Sequence, residues 1–252
     1  MDWIKCCIFD KMKKALPYIL SVFLLIYLVL VLIFTSKEWN KVECKGIQVF
    51  IENMDENVFI DEIDVIQLIN RHFGDLQKVP MGLINKDSIE SVLRKNPVIQ
   101  TAQVYNNLDG FLHVQIVQRK PILRVMTGKG FYVDEEGKMM PLSRKFSARV
   151  MVATGEISTT FACQHLYPFV RQLQEDPFWN ALVEQIVVTT DQEVLLIPKV
   201  GNFRIRIGAL EHVEQKMENL YLFLREGIKL KGWNRYKEIN LKYENQIVCV
   251  KR

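Results

Sequence analysis

The 252-residue chain has few of the residues from which active sites are usually built. Its four histidines, His72, His113, His165 and His212, fall in four separate predicted elements, none beside an acid and nucleophile in sequence. Nucleophilic and general-base chemistry needs such groups within hydrogen-bond reach, so no catalytic constellation is expected. The pair Cys163 and His165 invites a metal or nucleophile reading, but two such groups two apart at a helix start are more often incidental. The five cysteines, Cys6, Cys7, Cys44, Cys163 and Cys249, show no Cys-x-x-Cys spacing and no paired framework. That argues against a metal centre and a disulfide scaffold, leaving only a pairing of Cys163 with Cys249 to consider. A glycine-rich phosphate loop is missing. Asp134-Glu135-Glu136 followed by Gly137 reads as a turn between strands rather than a cation site. Charge is nearly balanced, with 33 Lys and Arg against 29 Asp and Glu, and carries no nucleic-acid footprint. The expectation is a chain without catalytic site, cofactor, metal, small-molecule substrate or nucleic-acid partner.

What the chain does have is one uncharged run, LPYILSVFLLIYLVLVLIF, from Leu16 to Phe34. As a helix it spans roughly 28 Å, close to the hydrocarbon thickness of a bilayer. Its fifteen Leu, Ile, Val and Phe residues favour insertion by roughly 5 to 9 kcal/mol as an upper bound. A cleaved signal peptide would have a shorter apolar core, of about 7 to 15 residues, and a small-x-small site. TSKEWNKVECKG, which follows the run, supplies no such site, and Val42-Glu43 is no lipoprotein lead-in to Cys44. The run therefore predicts a single uncleaved transmembrane helix over residues 16–35. Lys5, Lys11, Lys13 and Lys14 precede it and predict a cytoplasmic tail over residues 1–15, with the bulk of the chain on the far side. Cys6 and Cys7 in that tail read as reduced thiols, with reversible acylation as the alternative.

Beyond a charged linker at residues 36–45, about 210 residues of ordinary globular composition suggest two small domains. GIQVFIEN alternates Ile47, Val49 and Ile51 on one face and predicts a strand over Gly46 to Glu52. Asp61 stands at a helix N-cap, Ile63, Ile66 and Ile69 or Phe73 follow at helical spacing, and Gly74 closes a helix that runs to about Phe73. Asn85 or Asp87 caps a second helix that Asn96-Pro97 stops. A hairpin comes next: Val98, Ala102 and Val104 share a face in one arm, Leu112, Val114 and Ile116 in the other. His113 falls on the polar face of its arm and is expected in solvent. The order strand, helix, helix, strand, strand predicts a small α+β domain with helices on one face of its sheet.

After Pro121 the pattern turns to short strands: Ile122 to Thr127, FYV, KMMPL and RVMVAT. A helix from about Phe161 to Glu175 carries Leu166, Phe169, Val170 and Leu173, with Asp176-Pro177 as its stop. QIVVTTDQEVLLIP and NFRIRIG resume the strands, the second burying Phe203, Ile205 and Ile207 and presenting Arg204 and Arg206. A helix from about Leu210 to Glu226 and a final strand region, YKEINLKYENQIVCVKR, complete the chain.

SIESVLRKNPVIQTAQVYNNLDGFLHVQIVQRKPI resembles the polypeptide-transport-associated (POTRA) domain, a likeness covering residues 46–121. Its exit, Val117-Gln118-Arg119-Lys120-Pro121, is similar to that of the bacterial cell-division family FtsQ/DivIB, with Gln where Glu is usual. VDEEGKMMPL, RIRIG and HVEQKMENL resemble the β domain of that family, here residues 122–252. The resemblance implies an α+β chain of one transmembrane helix, a POTRA domain and a mainly antiparallel β domain with two helices. It implies a non-enzymatic scaffold of the divisome in the inner membrane, enriched at the septum, with a periplasmic bulk. It also implies FtsB and FtsL as partners, other divisome membrane proteins nearby, and septal peptidoglycan synthesis as the regulated process. A POTRA-bearing component of outer-membrane protein assembly or secretion is the alternative. Such a protein needs a barrel or tandem POTRA units, for which the last 130 residues have too few alternating strands.

The terminal strand carries the sharpest binding signal. An edge strand accepts an extended segment through main-chain hydrogen bonds, and the resemblance implies that this region receives FtsB. The expected partner-binding residues are Lys242, Tyr243, Ile247, Val248 and Val250, with Arg204 and Arg206 as a docking patch for an acidic partner. The family's Asp-x-Arg-Tyr motif reads Asn240-Leu241-Lys242-Tyr243 here. Lysine cannot form the bidentate fork that arginine offers a carboxylate.

Overall fold

A computed structural model describes residues 20–31, 33, 41–52, 58–107, 109–227, 235–243 and 246–252. Residues 20–31, inside the apolar run, are helical with exposed side chains. Both ends of the expected transmembrane helix, the tail with Cys6 and Cys7, and the first half of the linker lie outside the described residues. Among the described residues no helix is long and apolar enough to cross a membrane. The chain divides into two compact units, one of Met1–Phe50, Glu62–Leu93 and Ala102–Gln115, the other of Ile51–Asp61, Arg94–Thr101 and Ile116–Arg252.

The N-terminal elements are β1 (Ile47–Glu52), α1 (Glu62–Phe73), α2 (Lys86–Arg94), β2 (Ile99–Asn106) and β3 (Leu112–Gln118). Local chemistry sets their ends. Gly74, at φ 77°, donates its N–H to Asn70 O at 2.9 Å and stops α1, as a left-handed residue does after a helix. Asn85 caps α2, its Oδ1 accepting from Ser88 N at 3.0 Å. Asn96 Oδ1 accepts from Val98 N and so turns the chain toward β2. The strands form a sheet in the order β1-β3-β2. Leu112, Val114 and Ile116 of the central strand are wholly buried, as are Val65, Ile69 and Leu93 on the helices. Each such side chain contributes roughly 1.5 to 3 kcal/mol by leaving water.

The remaining strands are β4 (Pro121–Met126), β5 (Phe131–Asp134), β6 (Met139–Pro141), β7 (Met151–Gly155), β8 (Val183–Val188), β9 (Val194–Pro198), β10 (Arg204–Gly208), β11 (Tyr236–Asn240) and β12 (Val248–Lys251). They make one nine-stranded sheet in the order β12-β11-β10-β9-β8-β7-β4-β5-β6. Helices α3 (Tyr167–Glu175), α4 (Pro177–Leu182) and α5 (Val213–Leu222) belong to the same unit. A short helical turn, Thr159–Phe161, and a π-helical turn, Ala162–Leu166, lead into α3.

The sheet is mainly antiparallel, as expected, with five antiparallel pairs. Three pairs are parallel: β4 with β7, β7 with β8, and β10 with β11. For two of these the crossover is helical, since α3 and α4 lie between β7 and β8 and α5 between β10 and β11; between β4 and β7 the chain crosses through β5 and β6 instead. One expectation needs correction: the helices number more than two. Asp176-Pro177 ends α3 but starts α4, with Asp176 Oδ1 accepting from Phe178 N at 2.8 Å and Pro177 in the first turn. Trp179 and Leu182 of α4 then join the core with Phe169, Val170 and Leu173 of α3 and with Ile186, Leu196, Ile205 and Ile239 of the sheet.

The candidate partner-binding edge

β12 is the outermost strand on one side of the nine-stranded sheet, and among the described residues its one partner strand is β11. The register sets Asn240 opposite Val248, Ile239 opposite Cys249 and Glu238 opposite Val250. Alternation therefore divides the strand: Cys249 packs against the core, while Val248 is 39% exposed and Val250 48%. Ile247 is half-buried against the same core, and Tyr243 is 52% exposed. Burial pushes the Cys249 thiol above its ordinary range, as it does Cys163, and both are free thiols.

Arg204 and Arg206 stand on the sheet face that the core residues Ile205 and Ile207 leave, and each already has an acid. Arg204 Nε donates to Glu238 Oε2 at 2.7 Å, and Arg206 Nε donates to Glu238 Oε1 at 2.8 Å. Arg206 Nη1 also donates to Glu193 Oε2 at 3.1 Å, and Lys242 Nζ donates to Glu193 Oε1. The result is a ladder of alternating sign, Arg204–Glu238–Arg206–Glu193–Lys242, running from β10 and β11 to the residues after β11. Its charges tune one another. Arg206 first, then Arg204, holds the Glu238 carboxyl below the usual carboxylate range, and Lys242 first, then Arg206, does the same for Glu193. Glu193 raises Lys242 in return, and Glu238 raises Arg206.

Backbone chemistry positions both ends of the ladder. Glu193 closes the turn between β8 and β9: its N–H donates to Thr189 Oγ1, and its carbonyl accepts from Thr189 N at 2.9 Å. Gln192 takes the left-handed conformation that such a turn requires, at φ 58°. At the other end, Leu241 N donates to Arg206 O at 2.8 Å and Lys242 N donates to Asn240 Oδ1 at 2.9 Å. Gly208, at φ 76°, lets the Lys242 stem pass close: a Cβ there would stand 3.3 Å from Lys242 Cγ. Beside this turn a cleft of about 240 Å³ is lined by Lys216 and Asn219 of α5, by His212, and by Lys242, Tyr243 and Ile247.

The sequence-derived candidates therefore gather at one end of the sheet, though not in one role. Val248 and Val250 lie on the edge strand, Ile247 and Tyr243 lead into it, and the three cations belong to the ladder. Glu193 and Glu238, which hold those cations, are absent from the expected set. Nothing local marks them, because Glu193 meets Lys242 across 49 residues of chain and Glu238 meets Arg204 across 34.

Elsewhere, His113 departs from its expected solvent exposure. It is 4% exposed, sandwiched between the rings of Phe50 and Tyr105 at 5.9 and 5.4 Å, both nearly parallel to it. Its Nε2 lies 2.7 Å from Asp109 Oδ2. The alternation rule placed it correctly on the face away from the helices, but large rings on neighbouring strands cover it there. Asp134 takes its turn role: its Oδ1 accepts from Glu136 N and Lys138 N, and its Oδ2 accepts from Arg119 Nη1 at 2.6 Å.

Two stretches of the chain match models of known families. Residues 42–117 match the model of the POTRA-like domain, and residues 120–250, just over half of the chain, match the model described as FtsQ/DivIB, C-terminal related. No curated protein matches the chain. Carrying the two domains in this order, the chain belongs to the FtsQ/DivIB family of cell-division scaffold proteins.

Proposed function

We propose that this protein is a non-enzymatic, membrane-anchored scaffold of the divisome that captures an FtsB-type partner by strand addition at β12. It thereby links the FtsB and FtsL subcomplex to other division proteins and helps to control septal peptidoglycan synthesis. The apolar run from Leu16 to Phe34 anchors it, with a cytoplasmic tail and a periplasmic bulk. The domain boundaries follow the sequence: linker at 36–45, POTRA domain at 46–121, β domain at 122–252.

One observation carries the reading: β12 closes one side of the nine-stranded sheet with exposed Val248 and Val250. The other side ends differently. β6 is three residues long, and its Pro141 has no N–H to offer. Main-chain addition at about 0.5 to 1.5 kcal/mol per bond gives a four-residue edge only a modest affinity. Anchoring both partners in one membrane layer compensates, because binding there becomes effectively intramolecular.

The test is co-purification of an FtsB-type partner with the full chain and with a chain lacking Val248 to Arg252. Loss of co-purification with normal membrane insertion supports the reading. Undiminished co-purification contradicts strand addition. Val250→Asp, which keeps the strand but places a charge on its exposed face, guards against a truncation that simply fails to fold.

A further inference from the structure

We infer that Glu193 is a positioning residue for the terminal strand: it grips Lys242 and so fixes the turn that delivers β12 to the sheet edge. The inference rests on reading β12 as the capture edge.

Between β11 and β12 the chain must leave the sheet and come back antiparallel to itself. The first residues of that excursion are fastened at several atoms. Leu241 N is held by Arg206 O, Lys242 N by Asn240 Oδ1, and the Lys242 stem lies over Gly208. The ammonium of Lys242 is met by a carboxylate from a different hairpin, Glu193 Oε1. The backbone that carries it is held, since Thr189 ties both the N–H and the carbonyl of Glu193 into the β8–β9 turn, and Arg206 holds the carboxylate at 3.1 Å. Glu193 is also largely buried beside Arg206, with a side chain 16% exposed. Lys242 is itself 52% exposed, so the pair has the strength of an ordinary ion pair, and its positioning effect as an anchor comes from where the acid stands.

The consequence concerns binding. β12 has four residues and one partner strand, so its time at the edge depends on how firmly its entry turn is held. An edge that frays loses the main-chain template that an incoming strand needs, and apparent affinity falls with the fraction of competent edge. Glu193 thus sets partner capture without touching the partner.

A double-mutant cycle on the full chain in detergent tests this, with amide hydrogen exchange of Val248 to Lys251 as the readout. Glu193→Gln and Lys242→Met should each speed that exchange roughly fivefold, the factor an ion pair of ordinary strength supplies. The double variant should add little beyond either single one, and the exchange of β4 and β8 should stay as it was. Co-purification of an FtsB-type partner should weaken by a similar factor, and Glu193→Asp should recover part of it. Unchanged exchange at β12, or effects that simply multiply in the double variant, would overturn the anchor. Normal β12 exchange together with no partner capture in the unaltered chain would instead remove the strand-addition reading and leave the anchor standing.

Discussion

Two edge strands of this molecule, β2 and β12, are treated in opposite ways. β2 closes one side of the three-stranded sheet, and helix α2 guards it with side chains: Val104 N donates to Glu90 Oε1 at 2.8 Å, and Lys86 Nζ donates to Asn106 Oδ1 at 2.6 Å. A main-chain donor that a neighbouring strand would use is thus already taken. β12 closes one side of the nine-stranded sheet and shows two valines to solvent, while the side chains nearest it spend their charge on one another in the ladder. Exposed edges invite unwanted pairing, and natural sheets usually blunt them. Guarding β2 with a helix and shortening β6 at a proline, while β12 stays open, fits the proposal that β12 is the edge kept for use.

The comparison is most directly broken at β12 itself. Val250→Pro removes a main-chain donor and should cut partner capture at least tenfold in a pull-down, whereas the same substitution logic at Met139 of β6 should leave capture intact. Equal losses at both edges would mean that β12 is nothing special. Next in size is the guard on β2. Glu90→Ala strips the Val104 N–H of its acceptor and should cost about 1 to 3 kcal/mol, read as a lower denaturation midpoint. Glu90→Gln, which restores an acceptor oxygen, should recover most of it.

A third test uses Gly208, whose φ of 76° and closeness to Lys242 leave poor room for a side chain. Gly208→Ala should cost about 1 kcal/mol and, by pressing on the Lys242 stem, should loosen β12 more than any other strand. Local hydrogen exchange distinguishes that from general destabilisation.

Acid should produce the smallest effect. Glu193 and Glu238 both hold their protons less tightly in the folded chain than ordinary glutamates do, because cations face them. Their stabilisation is therefore complete above the ordinary glutamate range, near pH 4.3, and disappears as pH falls through their lower folded values. A thermal midpoint followed across that range should drop for the unaltered chain, and less steeply once Glu193→Gln and Glu238→Gln are introduced. Identical profiles would show that the ladder contributes nothing.

How much of this was legible in the sequence follows from how far apart the interacting residues lie. The turn and cap signals at Gly74, Asn85, Asn96 and Asp134 act within a few residues, and the structure uses each in place. Alternation in Leu112, Val114 and Ile116, or in Ile205 and Ile207, likewise reports burial on one face. The three parallel pairs were not legible, because they come from where α3, α4, α5 and the β5–β6 excursion carry the chain, and periodicity says nothing about that. Asp176-Pro177 was read as a stop because a proline ends helices, yet the same dipeptide is a good helix start, and only the next turn of chain decides. His113 and the two glutamates of the ladder were missed for one shared reason. Their partners are distant in sequence, on other strands for His113 and Glu238 and after β11 for Glu193, so nothing local reports the contact.

The central claim, that β12 is the capture edge, is tested most directly by amide hydrogen exchange across the full chain with and without an FtsB-type partner. The account predicts strong new protection at Val248 to Lys251, with β2 and β6 unchanged. Protection confined to α5 or to the three-stranded sheet, with β12 exchanging as before, would contradict it.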